Sequence, residues 1–168
     1  MTLLHAQPYD ITATGFYFED EEAFHAKMKD ARNNCGDPVE EFEIQFIDGE
    51  AIDAALCEAI GLHQGNVGKV LELIDTLHEY DKQCLIIACG ECRHSFDPCT
   101  DDVADYDIDI YEMDSMRELA EYFVDEGLFG EVPEHLANYI DYDAIARDLA
   151  VDYSETEIAG QRLIYACG

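Results

Sequence analysis

Positive charge is what this sequence most lacks. Nine Lys and Arg stand against 39 Asp and Glu, which leaves a formal net charge of −30, and only four of the bases are lysine. An excess of that size and sign excludes a protein that grips a nucleic acid or an anionic membrane directly. Long hydrophobic runs are missing too: the longest aliphatic run, LIIAC at 85–89, is far too short to span a bilayer. The start, MTLLHAQPYD, has no basic region and no apolar stretch of signal length. These absences predict a soluble, cytoplasmic protein. No internal repeat, Gly-rich phosphate loop or G-x-S-x-G is present, and the six histidines (5, 25, 63, 78, 94, 135) fall in no catalytic motif. The expectation is therefore a protein with no catalytic residues and no cofactor, hence not an enzyme.

What the chain does have is apolar content, 48% of 168 residues, enough for packed cores. The acids are not gathered into a tail. Residues 1–50 hold 12 acids and 3 bases, 51–104 hold 10 and 3, and 105–168 hold 17 and 3, so every third is acidic and the last most of all. They ride on segments with clear apolar periodicity, unlike the block of like charge that makes a disordered tail. Adaptation to high salt would also give an acidic, lysine-poor surface.

Periodicity divides the chain into three modules. In 1–50, ITATGFYF (11–18) is β-rich, with little before Pro8; Asp20 can cap a helix to Arg32 with Phe24, Met28 and Ala31 on one face; EEFEIQFID (40–48) alternates Phe42, Ile44 and Phe46 against Glu41, Glu43 and Gln45. In 51–104 the pattern is helical: AIDAALCEAI closed by Gly61, a second helix capped by Asn66, and a third capped by Asp81 and running through KQCLIIACGEC, before Pro98 breaks the pattern. In 105–168, DYDIDI predicts a strand with Asp105, Asp107 and Asp109 on one face. Ser115 and Glu118 form a capping box for a helix with Leu119 and Phe123 inward and Glu121 and Asp125 outward. Two short helices open at Pro133 and Asp141, and TEIAGQRLIYAC (156–167) predicts one closing strand. The fold class is α+β.

The local motif with most chemistry is CGECRHSFDPC, where Cys89, Cys92, His94 and Cys99 are all zinc-ligand types. It lacks a second C-x-x-C or a paired histidine, and Cys89 falls on an apolar helical run, so buried thiols are the expectation. Seven cysteines without a secretory context argue likewise against a disulfide framework. Calcium is disfavoured in DDVADYDIDIYE, which has apolar or aromatic residues where a binding loop needs its glycine turn. Beside adaptation to high salt, the alternative use of so many carboxylates is imitation of another polyanion. Duplex DNA carries one charge per ~1.7 Å of axis, so thirty charges correspond to about 51 Å of duplex. Alternate residues on a strand recur every ~6.6 Å, close to two phosphate steps of ~3.4 Å along one DNA strand.

One long stretch is distinctive. LFGEVPEHLANYIDYDAIARDLAVDY (128–153) resembles the characteristic C-terminal segment of the ArdA antirestriction family, in a G-E-[VI]-P-x-x-L-x-x-Y-I-D-Y-x-A-x-x-R-D-L pattern. The matching positions are Gly130 to Pro133, Leu136, Tyr139 to Tyr142, Ala144 and Arg147 to Leu149. ATGFYFEDEEAF, EEFEIQFIDGE and DSMRELAEYFVDEGLFGE resemble other parts of the same family. The resemblance implies small acidic proteins, often carried on mobile elements, that imitate bent B-form DNA and block type I restriction-modification enzymes. It implies an elongated row of three modules (α+β, helical, α+β) forming a homodimer. It also implies two groups of functional residues. Glu41, Glu43, Asp105, Asp107, Asp109, Glu121, Asp125, Glu131, Glu134, Asp143 and Asp148 would stand in for phosphates. Pro133, Leu136, Tyr139, Tyr142 and Arg147 would build the motif or the dimer contact. The partner would be the DNA-binding and methyltransferase subunits of the enzyme. The alternative is an acidic interaction protein directed at another basic, DNA-binding partner.

Overall fold

Leu4, Ala6 and Pro8 alternate inward against Leu3, His5 and Gln7, and this makes Leu3–Pro8 the first strand, β1, in the computed structural model, which describes residues Met1–Gly168. The strand lies within the stretch from which little was expected before Pro8. It is in fact the centre of a three-stranded antiparallel sheet, β2-β1-β3, with β2 at Phe16–Phe18 and β3 at Phe42–Asp48. The expected strand over 11–18 is thus shortened to its last three residues.

Helix α1, Glu21–Asp30, covers the inner face of this sheet. Asp20 caps it as expected, accepting from the Ala23 amide at 2.7 Å. Phe24 enters an aromatic cluster with Phe16 and Phe18, at centroid distances of 6.1 and 4.9 Å, and Phe42 packs edge-on against Phe16.

Helices α2 (Ala51–Ile60), α3 (Val67–Thr76) and α4 (Glu79–Ile86) follow. Gly61 ends α2 in the left-handed conformation, at φ 77°, as its position predicted. Asn66 precedes α3 but does not cap it with its side chain. It is buried and closes the preceding turn instead, accepting from the His63 amide at 2.8 Å and donating to the Gly61 carbonyl at 3.1 Å. Asp81 is not the cap of α4 either, since the helix starts two residues earlier, after His78. At its far end α4 widens into a π-helical turn, Ile87–Glu91, in which the Cys92 amide reaches back to the Ile87 carbonyl at 2.9 Å. Gln64 ties these helices to the sheet, accepting from the Phe42 amide and donating to the Glu40 carbonyl.

The chain divides into two compact units, Met1–Asp105 and Tyr106–Gly168, so the segments 1–50 and 51–104 lie together in the first. The second unit has a three-stranded antiparallel sheet, β4-β6-β5, made of Ile108–Tyr111, Gln161–Cys167 and Ser154–Ile158. Where one closing strand was expected at 156–167 there is a hairpin. Ala159 and Gly160 both take positive φ, 52° and 85°, which is the signature of a type I′ turn. Helix α5, Met116–Asp125, lays Leu119 and Phe123 on Ile164, and Tyr111, Met113, Met116, Leu149 and Tyr153 pack around them. Ser115 caps α5 through the Glu118 amide, while the Glu118 carboxylate accepts from the Asp114 amide, a capping box displaced by one residue. The segment opened by Pro133 is a 3-10 helix, Glu134–Tyr139, and α6, Tyr142–Leu149, is capped by Asp141 as predicted. Both sheets carry helices packed at one side of antiparallel strands, an α+β fold.

Candidate polyanionic binding surface

Apolar residues take the inside of each element, so the acids are left outside. Asp53 is the one buried acid of the 39; Asp10, Asp81 and Glu121 are half-buried and the rest are exposed. Asp53 has its own cation, Lys82, with Nζ at 2.6 Å from Oδ1 and both residues buried between α2 and α4. Burial and then the Asp53 charge push the neighbouring Cys57 thiol up to about 12, against the opposing pull of Lys82. It is accordingly protonated at neutral pH and a poor nucleophile.

In the first unit, Glu41 precedes β3 and Glu43 lies on it, both pointing away from the buried Phe42 and Ile44. Asp105, the last residue of the first unit, and Asp107 and Asp109 of the second are all exposed while Ile108 is buried, so the expected alternation of acidic and apolar positions is present. The ladder itself is shorter than the alternation. Only Asp109 lies within β4; Asp105 belongs to a 3-10 turn and accepts from the Asp102 amide at 3.1 Å, and Asp107 lies ahead of the strand. Asp125 closes α5, Glu131 and Glu134 flank Pro133, and Asp148 lies in the last turn of α6, all exposed.

Glu121 and Asp143 are different, because both are held by Arg117. Its Nε donates to Glu121 at 3.0 Å and its Nη1 to Asp143 at 2.6 Å, with the guanidinium 5.9 Å from the centre of the Tyr142 ring. These two carboxylates, Asp143 first, raise the Arg117 pKa above its ordinary value. The spacing from Arg117 to Glu121 is legible as a helical i,i+4 pair, but Asp143 is 26 residues away and no local pattern signals it.

The motif residues lie in an exposed stretch. Pro133, Leu136 and Tyr139 are exposed, Tyr139 to 83%, and with Leu128, Phe129 and Val132 they leave a run of large apolar side chains in solvent. The exposure of Leu128, Phe129 and Val132 was not foreseen, since apolar residues in a regular pattern suggest a core. Arg147 is exposed in the last turn of α6, where a cation complements the helix dipole. An open cleft of about 490 Å³ adjoins this stretch, lined by Val124, Asp125, Glu131, Val132, Ile140 and Tyr142 among others.

Of the cysteine-rich motif, Cys89 is half-buried on the π-turn, its thiol pKa raised by burial; against the expectation of buried thiols, Cys99 is an exposed free thiol and Cys92 is disulfide-bonded. His, Cys, Asp and Glu side chains come together nowhere in groups of three or more that could hold a metal ion. Every buried side-chain nitrogen and oxygen has a hydrogen-bond partner, so no orphaned polar group points toward a ligand.

A surface of this kind offers negative charge over a broad area. The family model for the antirestriction protein ArdA matches residues 4–160. The chain belongs to the ArdA family. No individually curated protein matches it in sequence. Membership implies an antirestriction function and interaction with type I restriction enzymes, and ArdA proteins are inhibitors rather than enzymes. The ArdA match spans both units, so the acids of each fall inside it. No helix is long and apolar enough to cross a membrane.

Proposed function

We propose that this ArdA protein is a DNA mimic that occupies the DNA-binding groove of a type I restriction-modification enzyme and keeps duplex DNA out. The observation that carries the reading is the near-complete exposure of 39 acids on well-packed elements within a chain that the antirestriction family model spans from residue 4 to 160. A groove built to neutralise phosphates accepts any rigid anionic surface of suitable density, and association gains the ions that both surfaces release. Glu41, Glu43 and Asp105 on the first unit, and Asp107, Asp109, Asp125, Glu131, Glu134 and Asp148 on the second, are the proposed phosphate surrogates. Glu121 and Asp143 contribute with their charge partly offset by Arg117. The partner surfaces are the DNA-binding and methyltransferase subunits of the enzyme.

A homodimer completes the proposal. The exposed Leu128, Phe129, Val132, Leu136 and Tyr139 favour a contact with a second copy, since contiguous apolar side chains beside a polar rim mark interaction surfaces. Expression of the protein in cells that carry a type I system should restore plating of unmodified phage. Full restriction in the presence of abundant folded protein would overturn the proposal in favour of another basic partner.

A further inference from the structure

The second unit sets two acidic helices side by side. Helix α5 carries Glu118, Glu121 and Asp125 with Arg117 as its single base; α6 carries Asp143 and Asp148 with Arg147 as its single base. The two helices pack against each other, yet α6 has no buried residue at all. Its apolar anchorage is partial, with Leu149 resting against the Leu119, Phe123 and Ile164 core. Like-charged faces at that range repel, and a weakly anchored helix yields to the repulsion. Arg117 supplies the opposing force: one guanidinium grips Glu121 of its own helix and Asp143 of the other and lies near the Tyr142 ring at the start of α6. A forked, planar cation can hold two carboxylates at once, which an ammonium cannot do in the same geometry.

We propose that Arg117 is a positioning residue of the anionic surface: it clamps α6 to α5, so that removing this positive charge weakens association with the restriction enzyme instead of strengthening it. The inference rests on the mimic reading above. It opposes simple charge counting, because Arg117→Gln takes the net charge from −30 to −31 and by charge alone should tighten binding to a basic groove.

Amide hydrogen exchange and affinity for a purified type I complex, measured together on wild type, Arg117→Gln and Arg117→Lys, test it. In Arg117→Gln the amides of Ile145 to Ala150 should exchange about three- to tenfold faster and affinity at low salt should fall by a similar factor, while β6 stays protected. Arg117→Lys, which keeps the charge but not the fork, should fall between the two. Unchanged exchange in α6, or binding by Arg117→Gln as tight as wild type or tighter, overturns the inference. Should Arg117→Gln lose protection throughout the unit, Arg117→Lys must loosen α6 alone, and a global loss in both overturns a local clamp. If the wild-type protein does not bind the complex, the mimic reading falls, and exchange in α6 alone decides for or against the clamp.

Discussion

An ammonium withdrawn from water needs a carboxylate beside it, and Lys82 finds Asp53 from 29 residues away in sequence. Neither position announces this. Asp53 lies in the first turn of α2, where an acid is ordinarily solvated, and Lys82 sits one residue after Asp81, the expected cap. Burial of such a pair is a tertiary event that local spacing does not encode. Cutting it should cost more than cutting any surface pair, because the remaining charge stays buried. Lys82→Met is expected to destabilise the first unit by about 3–5 kcal/mol, and adding Asp53→Leu should recover most of that loss. Urea denaturation of the two variants gives the comparison; a single variant within about 1 kcal/mol of wild type would show that the pair is hydrated. Elsewhere single residues were legible where chemistry is local: Asp20, Ser115 and Asp141 all cap the helices they precede, each accepting from an amide three residues on.

Among elements, strong periodicity was legible and weak turn chemistry was not. The alternation of Phe42, Ile44 and Phe46 and the stripes of α3 and α5 are visible because burial selects one face repeatedly. Strand β1 escaped because Ala6 is a weak apolar signal and His5 and Gln7 dilute the pattern, although Leu4 and Ala6 are fully buried. The β5–β6 hairpin escaped because its turn is Ala-Gly instead of Asn-Gly, so Ala159 adopts φ 52° against its steric preference. That strain is removable. Ala159→Asn should raise stability by about 0.5–1 kcal/mol with the register Ile158 to Gln161 kept, readable as a small rise in Tm. A loss of stability would show that the turn is not in the left-handed region.

At the level of the whole molecule the charge dominates, and it was the most legible property of all, since 39 acids on apolar-periodic segments must lie mostly outside. Which of them a partner touches is not legible in the same way, because the charge of one carboxylate is like that of the next. The collective character of such a surface has a measurable consequence. Asp107→Asn should weaken target binding only slightly, whereas Asp105, Asp107 and Asp109 changed together to Asn should weaken it by about tenfold and flatten its dependence on salt. All three are exposed, so the triple variant should fold as stably as wild type or slightly more so. An all-or-none loss from Asp107→Asn alone would indicate a specific site instead of a distributed one. The protein should also be folded at physiological ionic strength, unlike a surface adapted to molar salt, which needs screening to fold. Displacement of a labelled duplex from a purified type I restriction complex decides whether the protein stands where DNA stands. The protein is expected to compete with the duplex for one site, the apparent affinity falling in proportion as DNA is raised and weakening as salt is added. Binding that leaves the duplex in place would contradict occupation of the groove.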